Sequence, residues 1–69
     1  MTKIEREKML GVYEYGYMMY SLVEGIEQRE IMRREVGGMR LILETVFKEE
    51  DILECERVAL EKSKSKENN

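Results

Sequence analysis

The segment from Leu10 to Val23 constrains this chain most, because its fourteen residues include only one charge, Glu14. When the residues are placed at helical steps of about 100°, apolar side chains collect on two opposite sides. The broad stripe consists of Ile4, Gly11, Tyr15, Met18, Met19, Leu22, Val23 and Ile26. The second stripe consists of Met9, Tyr13, Tyr17, Tyr20 and Ile31. A helix that is apolar nearly all round needs cover on more than one side.

The helix boundaries follow from a capping signal and a glycine pair. Residues 2–5 match the S/T-x-x-E capping box, so a helix is expected to begin at Thr2 or Lys3. The chain contains no proline, and Gly37-Gly38 is the first pair that favours reversal of the chain. We therefore expect one long helix over residues 3–36 and a second from Met39 to Lys62.

Two sites leave the number of helices open. Within the predicted second helix, residues 48–51 contribute no apolar side chain to its stripe. Three of these four residues are acidic, which favours a helix N-terminus here. Leu43, Val46 and Leu53 nevertheless stay on one stripe if the helix continues, so the unbroken helix is our expectation. A break near Gly25 is the other alternative, because glycine weakens a helix interior. Residues 63–69 offer little apolar surface and are expected to form a disordered polar tail.

The short length favours self-association. A chain of 69 residues allows one domain with a small core, here a helical hairpin over residues 1–62 with its turn near 37–38. The lone Cys55 and the absence of histidine exclude an internal disulfide and the usual zinc sites. An all-α hairpin that dimerises into a four-helix-type bundle is therefore expected. The expected buried positions are Ile4, Tyr15, Met18, Leu22, Ile26, Leu43, Val46, Leu53 and Leu60.

The second stripe is the predicted partner-binding surface. In this arrangement Leu22 faces the chain's own second helix, and Tyr20 faces a neighbouring molecule. Tyrosine and methionine suit such a surface because they bring large or adaptable contact area. The predicted partner-binding residues are Met9, Tyr13, Tyr17, Tyr20 and Ile31. The predicted function is that of a small regulator, adaptor or inhibitor that occludes or bridges an unidentified protein partner.

Several other functions find no support in the sequence. Cys55 lies between Glu54 and Glu56 and has no histidine base, which argues against a thiol enzyme, and no cofactor-binding or metal-binding motif is present. The apolar run is shorter than the roughly 20 residues of a membrane span. The charged first ten residues do not resemble a signal peptide, and with one unpaired cysteine a cytoplasmic location is expected.

A small dimeric DNA-binding transcriptional regulator is the alternative. Its candidate phosphate contacts are Arg29, Arg33, Arg34 and Arg40, which surround the glycine pair. The net charge of −3 and interleaved glutamates argue against it, since nucleic-acid binders normally carry a basic excess.

Overall fold

The fold is a three-helix arrangement, seen in a computed structural model that describes residues 1–67. The helices are α1 (Lys3–Leu22), α2 (Ile26–Glu44) and α3 (Glu49–Glu67). Within the described residues the secondary structure is entirely helical, which confirms the predicted all-α class. α1 packs against both other helices, whereas α2 and α3 touch each other little. The chain thus has three helices in place of the expected hairpin of two long helices, and its dimerisation into a bundle stays a prediction.

The start of α1 agrees with the sequence signal. The Thr2 hydroxyl accepts a hydrogen bond from the Glu5 backbone N–H at 3.2 Å, and the Glu5 carboxylate accepts one from the Thr2 N–H at 3.1 Å. These two bonds satisfy donors that the first helical turn leaves without partners. The predicted capping box is confirmed.

The first chain reversal lies at residues 23–25, so the predicted turn at Gly37-Gly38 is wrong. Val23 and Gly25 both adopt extended backbone conformations that end α1 and cap α2. Gly37 and Gly38 lie inside α2, and neither has a positive φ. Val36 and Leu43 are buried on either side of this pair, so packing outweighs a cost of about 1 kcal/mol per glycine.

The second reversal interrupts the helix that we expected to continue through the acidic turn. The Thr45 hydroxyl donates to the Ile42 carbonyl at 2.6 Å, and the Phe47 N–H bonds the Leu43 carbonyl at 2.8 Å. Phe47 is buried in the core immediately before α3 begins. Glu49 to Asp51 then form the first turn of α3, where negative charge is favourable.

The core confirms part of the predicted buried set. Its main cluster consists of Tyr13, Val36, Leu43, Phe47 and Ile52. Met18 and Leu43 are buried as predicted, and Leu22 and Val46 are half-buried. Five predicted core residues are exposed instead: Ile4, Tyr15, Ile26, Leu53 and Leu60. Ile4 and Tyr15 are exposed because the opposite side of α1, which carries Tyr13, faces the core.

The predicted polar tail is helical over residues 63–67. Ser63 is only 4% exposed, and its hydroxyl donates to the Leu60 carbonyl at 2.8 Å. It follows Ile52 and Ala59 along the buried side of α3, where a small polar side chain still permits close packing. Residues 63–67 thus continue α3 where a disordered tail was expected, and residues 68–69 lie outside the described part of the chain.

Candidate interaction surface

The inner side of α1, which we define as Met9, Tyr13, Tyr17 and Tyr20, builds the core of the chain. Tyr13 is only 1% exposed, and the other three pack against the buried cluster. The rings of Tyr13 and Tyr17 lie 5.9 Å apart, and those of Tyr17 and Tyr20 lie 6.2 Å apart in an edge-on arrangement. Such tilted pairs are favourable beyond the area that they bury.

A polar network closes this core and joins the three helices. The Tyr13 hydroxyl on α1 and the Arg40 guanidinium on α2 both donate to the Glu56 carboxylate on α3. Arg40 also pairs with Glu44 and Glu49. Burial, together with the neighbouring Glu56 carboxylate, raises the pKa of Tyr13 above its ordinary value. The buried Tyr13 hydroxyl needs a hydrogen-bond partner within the protein, and the network supplies one. An exposed tyrosine hydroxyl can bond to water instead.

The opposite side of α1 is apolar and uncovered. Ile4, Val12 and Tyr15 are 65%, 62% and 62% exposed, and their helical spacing places them on one side of α1. Ile31 and Ile42 are similarly exposed on α2 and lie eleven residues, or three turns, apart. We call these five residues the outer face.

A groove between α1 and α2 adjoins the outer face. It has a volume of about 290 Å³ and is lined by Lys8, Met9, Val12, Tyr13, Met39, Ile42 and Leu43. Lys8 is the single charged residue among these lining side chains. An apolar groove with one polar group at its rim is the usual form of a site that accepts another apolar side chain or helix.

The predicted partner-binding residues therefore fall in different places. Met9 lines the groove and Ile31 belongs to the outer face, whereas Tyr13, Tyr17 and Tyr20 belong to the inner core packing. The tyrosines of this stripe pack against the chain's own core, whereas Ile4 and Tyr15 of the broad stripe are exposed and Met18 of the broad stripe is buried as predicted. Sequence analysis missed Val12 and Ile42, although both are apolar and at helical spacing from other members of the outer face.

The four arginines of the DNA-binding alternative each have a contact within the chain. Arg33 and Arg34 lie near Glu30, and the Arg29 guanidinium lies 5.1 Å from the centre of the Tyr20 ring. Arg40 is held by three carboxylates. This arrangement adds no support for phosphate binding, and DNA binding stays an untested prediction.

Cys55 lies half-buried between α1 and α3. Its thiol donates to the Leu10 carbonyl at 3.2 Å. Burial, with the nearby carboxylates of Glu14 and Glu56, raises the pKa of Cys55 to about 11. A thiol is nucleophilic only as the thiolate, so this environment suppresses its reactivity near neutral pH. Cys55 therefore serves as a small packed side chain between the two helices.

None of the described helices is long and apolar enough to cross a membrane. The described residues also contain no group of three or more potential ligands placed to hold a metal ion.

Comparisons with known proteins give no family. No protein-family model matches the chain, and neither the curated proteins nor the solved structures contain a significant match.

Proposed function

We propose that this chain is a non-enzymatic protein interaction module, which acts as a regulator, adaptor or inhibitor by occluding or bridging a partner protein. The observation that carries the proposal is the outer face, whose five large apolar residues are at least 57% exposed, whereas the inner side packs against the core. Exposed apolar surface that continues into a groove is typical of protein-binding sites. Self-association into a helical bundle is part of the proposal.

Charges around the outer face would set orientation more than affinity. Lys8 lies at the groove, and Glu35 lies on α2 between Ile31 and Ile42 at helical spacing. An apolar centre with charges at its edge supplies binding energy from buried area, and the edge charges disfavour wrong partners.

The test is affinity capture from the native cell with three forms of the chain. Val12→Glu places a charge in the outer face at a position that is already exposed, so the fold should persist. Gly37→Glu is the matched control, because Gly37 is an exposed helical position with open space beside it and lies outside the outer face. Mass spectrometry should find a protein retained by the wild type and by Gly37→Glu and lost with Val12→Glu.

A protein that all three forms retain equally would contradict the use of the outer face. An electrophoretic shift of duplex DNA at low salt would instead favour the DNA-binding alternative, because phosphate contacts strengthen as salt falls. The proposal expects no shift.

A further inference from the structure

The outer side of α1 carries a recess one helical turn from a protruding ring. Gly11 lies within α1, and a Cβ added there would meet no atom within 4 Å. Tyr15 follows one turn later and is 62% exposed. A glycine in a helix interior costs about 1 kcal/mol relative to alanine, and no atom of residues 1–67 fills the space beside Gly11.

Gly16 shows what an internally used glycine looks like. A Cβ at Gly16 would lie 2.7 Å from the Met39 methyl carbon, so this glycine permits α1 and α2 to approach. No described atom lies in the space beside Gly11, so this space is open to a group from another molecule.

On the basis of the proposed function, we infer that the outer face binds a second copy of this chain. In this dimer, Tyr15 of each copy packs against Gly11 of the other. A twofold axis requires that the same patch serve both copies, so that each contact occurs twice. Two antiparallel α1 helices related by an axis midway between positions 11 and 15 meet this condition. The ring and the recess lie on one helix, which makes the patch complementary to itself.

The same axis pairs other apolar residues. Ile4 lies nine positions before the midpoint and Leu22 nine positions after it, so Ile4 of one copy comes level with Leu22 of the other. Ile4 is 65% exposed and Leu22 is half-buried, so both have surface to lose in such a contact. These pairs extend the contact along most of α1.

The exposed area agrees with one dimer interface. The chain exposes 5252 Å². A globular monomer of 8.3 kDa exposes about 4,600 Å², so about 650 Å² is in excess. Covering that excess on two copies would bury about 1,300 Å², which falls within the range of about 1,200–2,000 Å² for stable interfaces.

The test compares Gly11→Leu with Gly37→Leu by size-exclusion chromatography with light scattering. Both variants place leucine on an exposed helical surface with open space, so both should raise helix stability. The wild type and Gly37→Leu should have the mass of two chains above about 10 µM, the weak end of affinities for interfaces of this size. Gly11→Leu fills the recess and should weaken dimerisation by about tenfold or more.

A compensating exchange tests the contact itself. Tyr15→Ala alone should also weaken the dimer, and Gly11→Leu with Tyr15→Ala should dimerise better than the two separate losses would predict, because the new side chain fills the space that the ring leaves. Purely additive losses would overturn the Tyr15–Gly11 contact.

Two results would overturn the inference as a whole: a wild type that is folded and monomeric at these concentrations, or a dimer that Gly11→Leu leaves unchanged. A monomeric wild type whose captured partner is still lost with Val12→Glu would defeat the second-copy inference and leave the proposed function standing. Failure of both the capture and the dimer measurements would defeat both.

Discussion

The two sides of α1 are both apolar, yet they have opposite roles. Tyr13 and Tyr15 are separated by one residue, but Tyr13 is 1% exposed and Tyr15 is 62% exposed. The inner side packs against α2 and α3, and its Tyr13 hydroxyl finds a carboxylate acceptor in Glu56. None of the three described helices covers the outer face. Apolar content alone therefore does not determine which side of a helix is buried. The polar partners and the shape of the neighbouring helices also contribute.

Alanine substitution of these two tyrosines should give the largest difference in the free energy of unfolding. Tyr13→Ala removes a fully buried ring and should lower the free energy of unfolding by about 3 kcal/mol or more. Tyr15→Ala should change it by less than about 0.5 kcal/mol when the chain is monomeric. Urea denaturation at low protein concentration measures both, because dilution removes any stabilisation by a second chain. Equal losses for the two variants would break the distinction between the sides.

A second, smaller contrast compares two arginines that each pair with carboxylates. Arg40→Met leaves the largely buried Glu56 carboxylate without its cation and should destabilise the chain by about 2 kcal/mol. Arg57→Met removes pairs with Glu54 and Glu61 that are more than half exposed and screened by solvent, so it should cost far less than Arg40→Met. Thermal unfolding followed by circular dichroism measures the difference. A cost for Arg40→Met as small as that for Arg57→Met would show that the network contributes little to joining the helices.

The glycines of α1 and α2 provide a third contrast, in which the free energy of unfolding should change by about 1 kcal/mol or less. Gly37→Ala and Gly38→Ala should each stabilise the chain by about 0.5–1 kcal/mol, because both residues lie inside α2 with open space beside them. Gly16→Ala should gain less or destabilise, since its Cβ would displace the Met39 methyl group. Urea denaturation midpoints test all three. Destabilisation by Gly37→Ala would indicate that the pair forms a turn after all.

The smallest effect concerns pH and the Cys55 thiol behind α1. Its pKa is raised from an ordinary 9.0 to about 11, so between these values the folded chain holds more protons than the unfolded one. Stability should therefore fall as pH rises through this window. Cys55→Ala should lessen that fall, which urea denaturation at about pH 8 and about pH 10 would detect. An unchanged slope in Cys55→Ala would assign the alkaline loss to other groups, such as Tyr13.

Local signals in the sequence predicted the helical class, the capping box at Thr2 and the burial of Met18 and Leu43. They did not predict which of two apolar stripes faces inward, because that depends on Glu56, which is distant in sequence and nearby only after folding. The turns were missed for a related reason. Local propensity favours a chain reversal at Gly37 and Gly38. Val36 and Leu43, however, are buried in one core only if α2 continues through this pair.

The accessibility of individual tyrosines in solution tests the central claim most directly. Photo-CIDNP nuclear magnetic resonance polarises only tyrosines that a dye can reach, and it can compare the wild type with Gly11→Leu. We expect Tyr13 to give no polarisation signal in either form. Tyr15 should give a strong signal in Gly11→Leu and a weaker one in the wild type at high concentration. A strong signal from Tyr13, or a Tyr15 that is silent in Gly11→Leu, would contradict the assignment of inner and outer sides.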